Sequence, residues 1–300
     1  MQVFGQFIMY SRRHALCMAL LFGALPLMGW LAAVIVGLVT LRHGPKEGLL
    51  VMVGAILPDI IWIMLGANNV LFYDVLAGAI FVWLTASGLR RYNSWQWVLQ
   101  TTALVGVLGV IGVHLWVPDV QNYWLQHYQG YAQQLIKAAE DQPALLEMAQ
   151  SLKNSDNLVI LASMTTGIVV ALAFLLGIIN LVLARVWQAS LFNAGGFRQE
   201  FLRLRLTRTA ALVVCITLIA ALLKINMIRD LLPVLMFPFI IAGLALIHSL
   251  LVQRTQSRLW IIGFYGIFFF GYPYTLLVVV LLALFDCWID FRQRFFERGV

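Results

Sequence analysis

The chain has 300 residues, 62% hydrophobic and 11% charged, with a formal net charge of +7. Soluble domains are about 45–50% apolar and about 25% charged, so a water-soluble core is excluded and lipid is the solvent this composition calls for. The 16 Arg and 4 Lys fall mostly in short connections between apolar runs, where they serve topology and anionic headgroups and not nucleic acid.

A span needs about 20 apolar residues, and eight blocks approach or exceed that: 15–41, 48–66, 70–89, 95–117, 158–184, 209–227, 231–252 and 259–287. The expected fold is all-α, a polytopic integral membrane helical bundle forming one membrane domain over 1–300. The first block follows Arg12 and Arg13 and is interrupted by Pro26; the last is interrupted by "GYPY" at 271–274. Each is expected to be two short helices or a re-entrant pair. The first is too long for the apolar region of a cleaved signal peptide. Within it Ala15, Ala19 and Gly23 recur every four residues, a small-residue face that serves either internal packing or docking of another membrane protein.

The second block contains "GAILPDIIW", with Asp59 directly after Pro58 near the middle of an apolar run. An ionised carboxylate at a helix centre costs about 2.5 kcal/mol or more, so Asp59 must face protein or water. It is either part of a polar cavity or a lock between helices. Four further polar residues in or at the ends of the blocks complete the candidate cavity set: His114, Asn180, Lys224 and His248. Ser163, Thr165 and Thr166 read as interhelical hydrogen-bonding residues.

Connections 42–47, 90–94, 185–208 and 253–258 are basic, while 119–157 carries five acids against Lys137 and Lys153. The bias of Arg and Lys sets the first group in the cytoplasm and the second outside, for a multi-pass protein of a bacterial inner membrane. Residues 119–157 are too polar to span. Trp124, Tyr128, Tyr131 and Leu135 recur at helical spacing, predicting an amphipathic element on the outer surface or a lid over an outward cavity; Asp141 is placed to cap a second helix. The basic loop 185–208 offers Arg198, Arg203, Arg205 and Arg208 to a cytoplasmic partner or to lipid.

Enzyme signatures are missing: the sequence contains no H-E-x-x-H, G-x-S-x-G or phosphate-binding glycine loop, so no enzymatic activity and no cofactor is expected. Cys17, Cys215 and Cys287 lie in or at the end of apolar segments, without metal-ligand spacing. Asp286 and Asp290, four apart in "DCWIDFRQR", read as a charged helix end beside Arg292 and Arg294 and not as a metal site.

The stretch "LVTLRHGPKEGLLV" (38–51) after a proline-broken opening, together with "GFRQEFLRLRL" (196–206), resembles the bacterial YybS-like family of polytopic membrane proteins. That family is distantly similar to the S components of energy-coupling-factor transporters and to the cell-shape protein MreD. The resemblance implies an S-component-like core, and in S components a face like Ala15 and Ala19 contacts a coupling subunit. Two roles follow as expectations: a transport-related, small-solute-binding membrane subunit energised by a partner, or a non-transporting scaffold that recruits partners through its helices and basic loop.

Overall fold

The computed structural model describes residues 2–25, 27–66, 70–138, 147, 156–223, 225–252 and 257–296. All regular elements among them are helices. Where one membrane domain is expected, the chain gathers into two compact units, residues 1–99 with 174–204 and residues 100–173 with 205–300.

The first unit opens with α1 (Gln2–Tyr10), α2 (Arg12–Ala24), α3 (Gly29–His43), α4 (Pro45–Met64) and α5 (Val70–Tyr92). Their boundaries follow from local chemistry. Ser11 caps α2 by accepting the His14 N–H at 3.4 Å, and Pro45 starts α4, where its missing N–H costs nothing. Gly44, at φ 104°, makes the sharp reversal between α3 and α4 that a side chain would oppose. Helix α3 is apolar on all sides and buried over Ala32–Leu41, as a central helix should be. Helices α2, α4 and α5 pack around it, and α2 also packs against α4.

Helix α6 (Trp95–Trp116) begins in the first unit and continues in the second, which also holds α7 (Val120–Ala138) and α8 (Asp156–Ala162). The long α9 (Thr165–Phe192) returns the chain to the first unit, which ends with the short α10 (Gly196–Leu202). The second unit then continues with α11 (Arg208–Ala221), α12 (Asn226–Leu251), α13 (Ser257–Phe270), α14 (Tyr274–Ile289) and α15 (Phe291–Phe296). Helix α12 is its centre: Val234, Phe237, Phe239 and Leu246 are buried where α11 and α14 pack on it.

Both interrupted end blocks break where proline or "GYPY" stands: 15–41 resolves into α2 and α3, and 259–287 into α13 and α14. The expectation of about eight spans is matched in part. Among the described residues four helices, α4, α6, α9 and α12, are long and apolar enough to cross a membrane, and four more are apolar but shorter. The basic "loop" 185–208 is corrected too. Its first eight residues prolong α9, because Val186, Trp187 and Leu191 continue the apolar pattern, and seven of the rest, Gly196–Leu202, form α10.

The outside of these helices is hydrocarbon. Leu104, Leu108, Leu172, Leu176, Ile216 and Ile219 are each more than half exposed. Water would penalise such a surface, whereas acyl chains match it.

Candidate functional site

The strongest polar assembly lies in the second unit, at the end where α6 and α8 finish and α9 and α12 begin. Asp230, five residues into α12, is only 1% exposed. One carboxylate oxygen accepts the Gly167 N–H at 2.6 Å, and the other lies 3.0 Å from His114 Nε2. Gly167 is the third residue of α9, so a carboxylate from another helix satisfies one of the N–H groups that a helix start leaves open, in the favourable end of the helix dipole. A Cβ on Gly167 would collide with the Asp230 carbonyl oxygen, so only glycine admits this approach. The His114 side chain is 15% exposed, which links the buried acid to the surface.

Helix α7 covers the neighbouring turn. Trp124 Nε1 donates to Thr166 Oγ1 at 2.9 Å, and the Tyr128 hydroxyl lies 3.0 Å from Thr165 Oγ1. Gln121 accepts from Asn226 and donates to the Val159 carbonyl oxygen at 3.4 Å. The predicted stripe is therefore split: Trp124 and Tyr128 dock, while Tyr131 and Leu135 are exposed. The predicted cap Asp141 and the second amphipathic stretch lie outside the described residues, apart from Glu147.

The opposite end of this unit is held by charge. Thr207 caps α11 through the Ala210 N–H at 3.1 Å. Arg205 pairs with Asp290, and Arg205 and Arg208 donate to the Cys287 carbonyl oxygen at 3.2 and 3.3 Å. Arg292 pairs with Asp286 at 2.9 Å and reaches Ser249 Oγ at 3.3 Å. Burial pushes the Arg292 guanidinium down from its ordinary value, and Asp286 opposes that shift. Each acid of the "DCWID" pair thus has its own arginine, and among the described residues no cluster of His, Cys, Asp and Glu could hold a metal ion.

Of the five candidate cavity residues, Asp59 and Asn180 belong to the first unit and His114 and His248 to the second. Asp59 is fully buried on the α4 stripe that also carries Val51 and Ala55, in the first unit, where Asn180 is half-buried on α9. His114 joins Asp230. His248 is 18 residues further along α12 than Asp230, about 27 Å at 1.5 Å per residue; its ring contacts the Leu244 carbonyl oxygen at 2.8 Å and the Tyr265 hydroxyl at 3.4 Å. Lys224 lies outside the described residues.

The face of Ala15, Ala19 and Gly23 is taken up inside the chain. Ala15 and Ala19 are 4% and 0% exposed, and a Cβ on Gly23 would strike the Ala55 carbonyl oxygen of α4. Of the two roles expected for this face, internal packing is the one seen in the first unit, where α4 packs against α2. The four arginines also divide. Arg198 and Arg203 are exposed in the first unit, whereas Arg205 is committed to Asp290 and Arg208 reaches the Cys287 carbonyl oxygen while remaining exposed.

Several site residues carry no mark in the sequence. Asp230 stands with Arg229 at the edge of the apolar block 231–252, where a charge is ordinary; the usable signal is Pro233 three residues later, another acid near a proline in an apolar run. In the first unit Glu200 of α10 binds Arg185 through two bonds, one of them 3.1 Å, and accepts the Trp95 indole N–H at 3.0 Å. That unit also has a cleft of about 430 Å³ bordered by Ser11, Arg12, His43 and Glu47, with Arg12 and Glu47 paired at 2.5 Å.

A family model described as "Predicted membrane protein (DUF2232)" matches residues 15–287. The chain belongs to this family of predicted membrane proteins. The match runs through both compact units and ends at Cys287 on α14. No curated protein and no solved structure matches the chain.

Proposed function

We propose that this chain is a transport-related subunit of a bacterial cytoplasmic membrane, and that His114 and Asp230 form its polar centre. The observation that carries the reading is a carboxylate 1% exposed in a span-length helix, joined to a histidine that reaches the surface. Buried ionisable residues within membrane helices are expensive to keep and mark proton or solute pathways in membrane proteins. His114 passes a proton between Asp230 and the aqueous phase, and the Asp230 hydrogen bond to Gly167 ties the charge state of the acid to the start of α9. Energy comes from an ion gradient or a partner, since the sequence has no nucleotide-binding loop. The YybS-like resemblance, with its similarity to S components, agrees with this role.

The test is a thermal-shift screen of small polar metabolites against the purified protein and an Asp230→Asn variant, which keeps an acceptor for Gly167 and loses the charge. A compound that raises the wild-type melting temperature by several degrees and leaves the folded variant unmoved supports a solute site. Equal shifts in both remove Asp230 from it.

A second reading, a scaffold of the MreD type, is favoured by the exposed Arg198 and Arg203 at α10. Reversing both to Glu then releases a co-purifying partner, and unchanged co-purification counts against recruitment through this segment.

A further inference from the structure

The second unit carries a groove of about 390 Å³ between α6, α11 and α12. Its floor is buried and apolar, with Ala103, Val214 and Phe239 each 7% exposed or less, while Leu104 and Val213 on its rims are about half exposed. It begins beside Thr207 and Gln100, whose side chains hydrogen-bond at 2.7 Å, and reaches Thr217 on α11. Ten residues of helix separate Thr207 from Thr217, about 15 Å, or half of a hydrocarbon core about 30 Å thick. The groove therefore has the length of one leaflet.

Charge is arranged at its basic end. Asp286 and Asp290 are matched one to one by Arg292 and Arg205. Arg208, set between the groove-lining Thr207 and Thr209, is exposed and forms no ion pair among the described residues, while its Nε is steadied by the Cys287 carbonyl oxygen.

We propose that this groove is a binding site for one anionic glycerophospholipid of the cytoplasmic leaflet, with an acyl chain along Ala103, Val214 and Phe239 and the phosphate at Arg208, Thr207 and Gln100. The apolar floor selects a chain, because water in the groove would find no partners there. Arg208 selects negative charge, worth about 1 kcal/mol, or about fivefold in affinity. The site is independent of the His114–Asp230 centre.

The experiment uses the full chain, delipidated in mild detergent and titrated separately with phosphatidylglycerol, phosphatidylcholine and inorganic phosphate, with native mass spectrometry and melting temperature as readouts. A one-to-one phosphatidylglycerol adduct is expected, with a rise in melting temperature of several degrees. Arg208→Gln weakens phosphatidylglycerol about fivefold and leaves phosphatidylcholine unchanged. Ala210→Phe and Thr217→Phe, which fill the groove at two depths, abolish the adduct, whereas Ile216→Phe on the exposed side of α11 does not. Equal binding of both lipids by every variant means surface lipid only and overturns the site. Retention of the adduct by both groove-filling variants overturns the chain's placement, and an equal shift with inorganic phosphate overturns the lipid.

Discussion

Asp230 and Asp59 are both buried acids within three residues of a proline inside their helix, yet their surroundings differ. Asp230 has a histidine that reaches the surface and a helix N–H, while Asp59 lies on an α4 stripe between packed helices of the first unit. The proposed function assigns exchange to the first. Away from the spans, Glu200 takes two hydrogen bonds from Arg185 and one from the Trp95 indole. Exposed ion pairs contribute about 0.2–1 kcal/mol, but Arg185 is held by Glu200 through two bonds and its side chain is only 14% exposed. A double-mutant cycle of Arg185→Gln and Glu200→Gln, read by denaturant unfolding in detergent, should give a coupling of about 1–2 kcal/mol, since charged hydrogen bonds contribute more than neutral ones. A coupling near zero would place the pair with ordinary surface ion pairs.

Helix contacts in this chain turn on small residues. Gly23 of α2 meets the Ala55 carbonyl of α4, while Gly78 of α5 has open space at its Cβ position. The same substitution at the two sites should therefore act in opposite directions. Gly23→Ala should lower the melting temperature, because backbone must move; Gly78→Ala should raise it slightly, through a helix preference of up to about 1 kcal/mol. Equal effects would contradict the packing described. The sequence already carried much at this scale. Proline breaks, the Ala15–Ala19–Gly23 stripe and the first half of the Trp124–Leu135 stripe are visible as local patterns, because periodicity and backbone restriction are local. Which surface covers a stripe is not local: α4 takes up the face of α2, and Thr165 and Thr166 receive only Trp124 and Tyr128. Asp230 was missed for the same reason. Its partners His114 and Gly167 are 116 and 63 positions away, and no spacing rule connects them.

For the whole molecule, composition fixes the solvent, and the exposed leucine and isoleucine surface of α6, α9 and α11 agrees with it. Membership of a predicted membrane protein family over residues 15–287 supports the same conclusion. Of the eight hydropathy blocks, four correspond to helices long and apolar enough to cross among the described residues, and each of the two blocks with a proline or "GYPY" interruption gives two shorter helices, which fall short of about 30 Å. In the second unit, polar chemistry separates to two ends: a buried His114–Asp230 centre at one, and paired arginines at the other. The account's central claim is that the first of these ends serves passage of a solute and does more than hold helices. The direct measurement is accumulation of metabolites from a defined mixture, read by mass spectrometry, in proteoliposomes carrying a proton gradient, for wild type, Asp230→Asn and Asp59→Asn at matched folded content. The account predicts at least one metabolite accumulated by wild type and Asp59→Asn and lost in Asp230→Asn. The same accumulation with Asp230→Asn as with wild type, or none above protein-free liposomes in any sample, would contradict it.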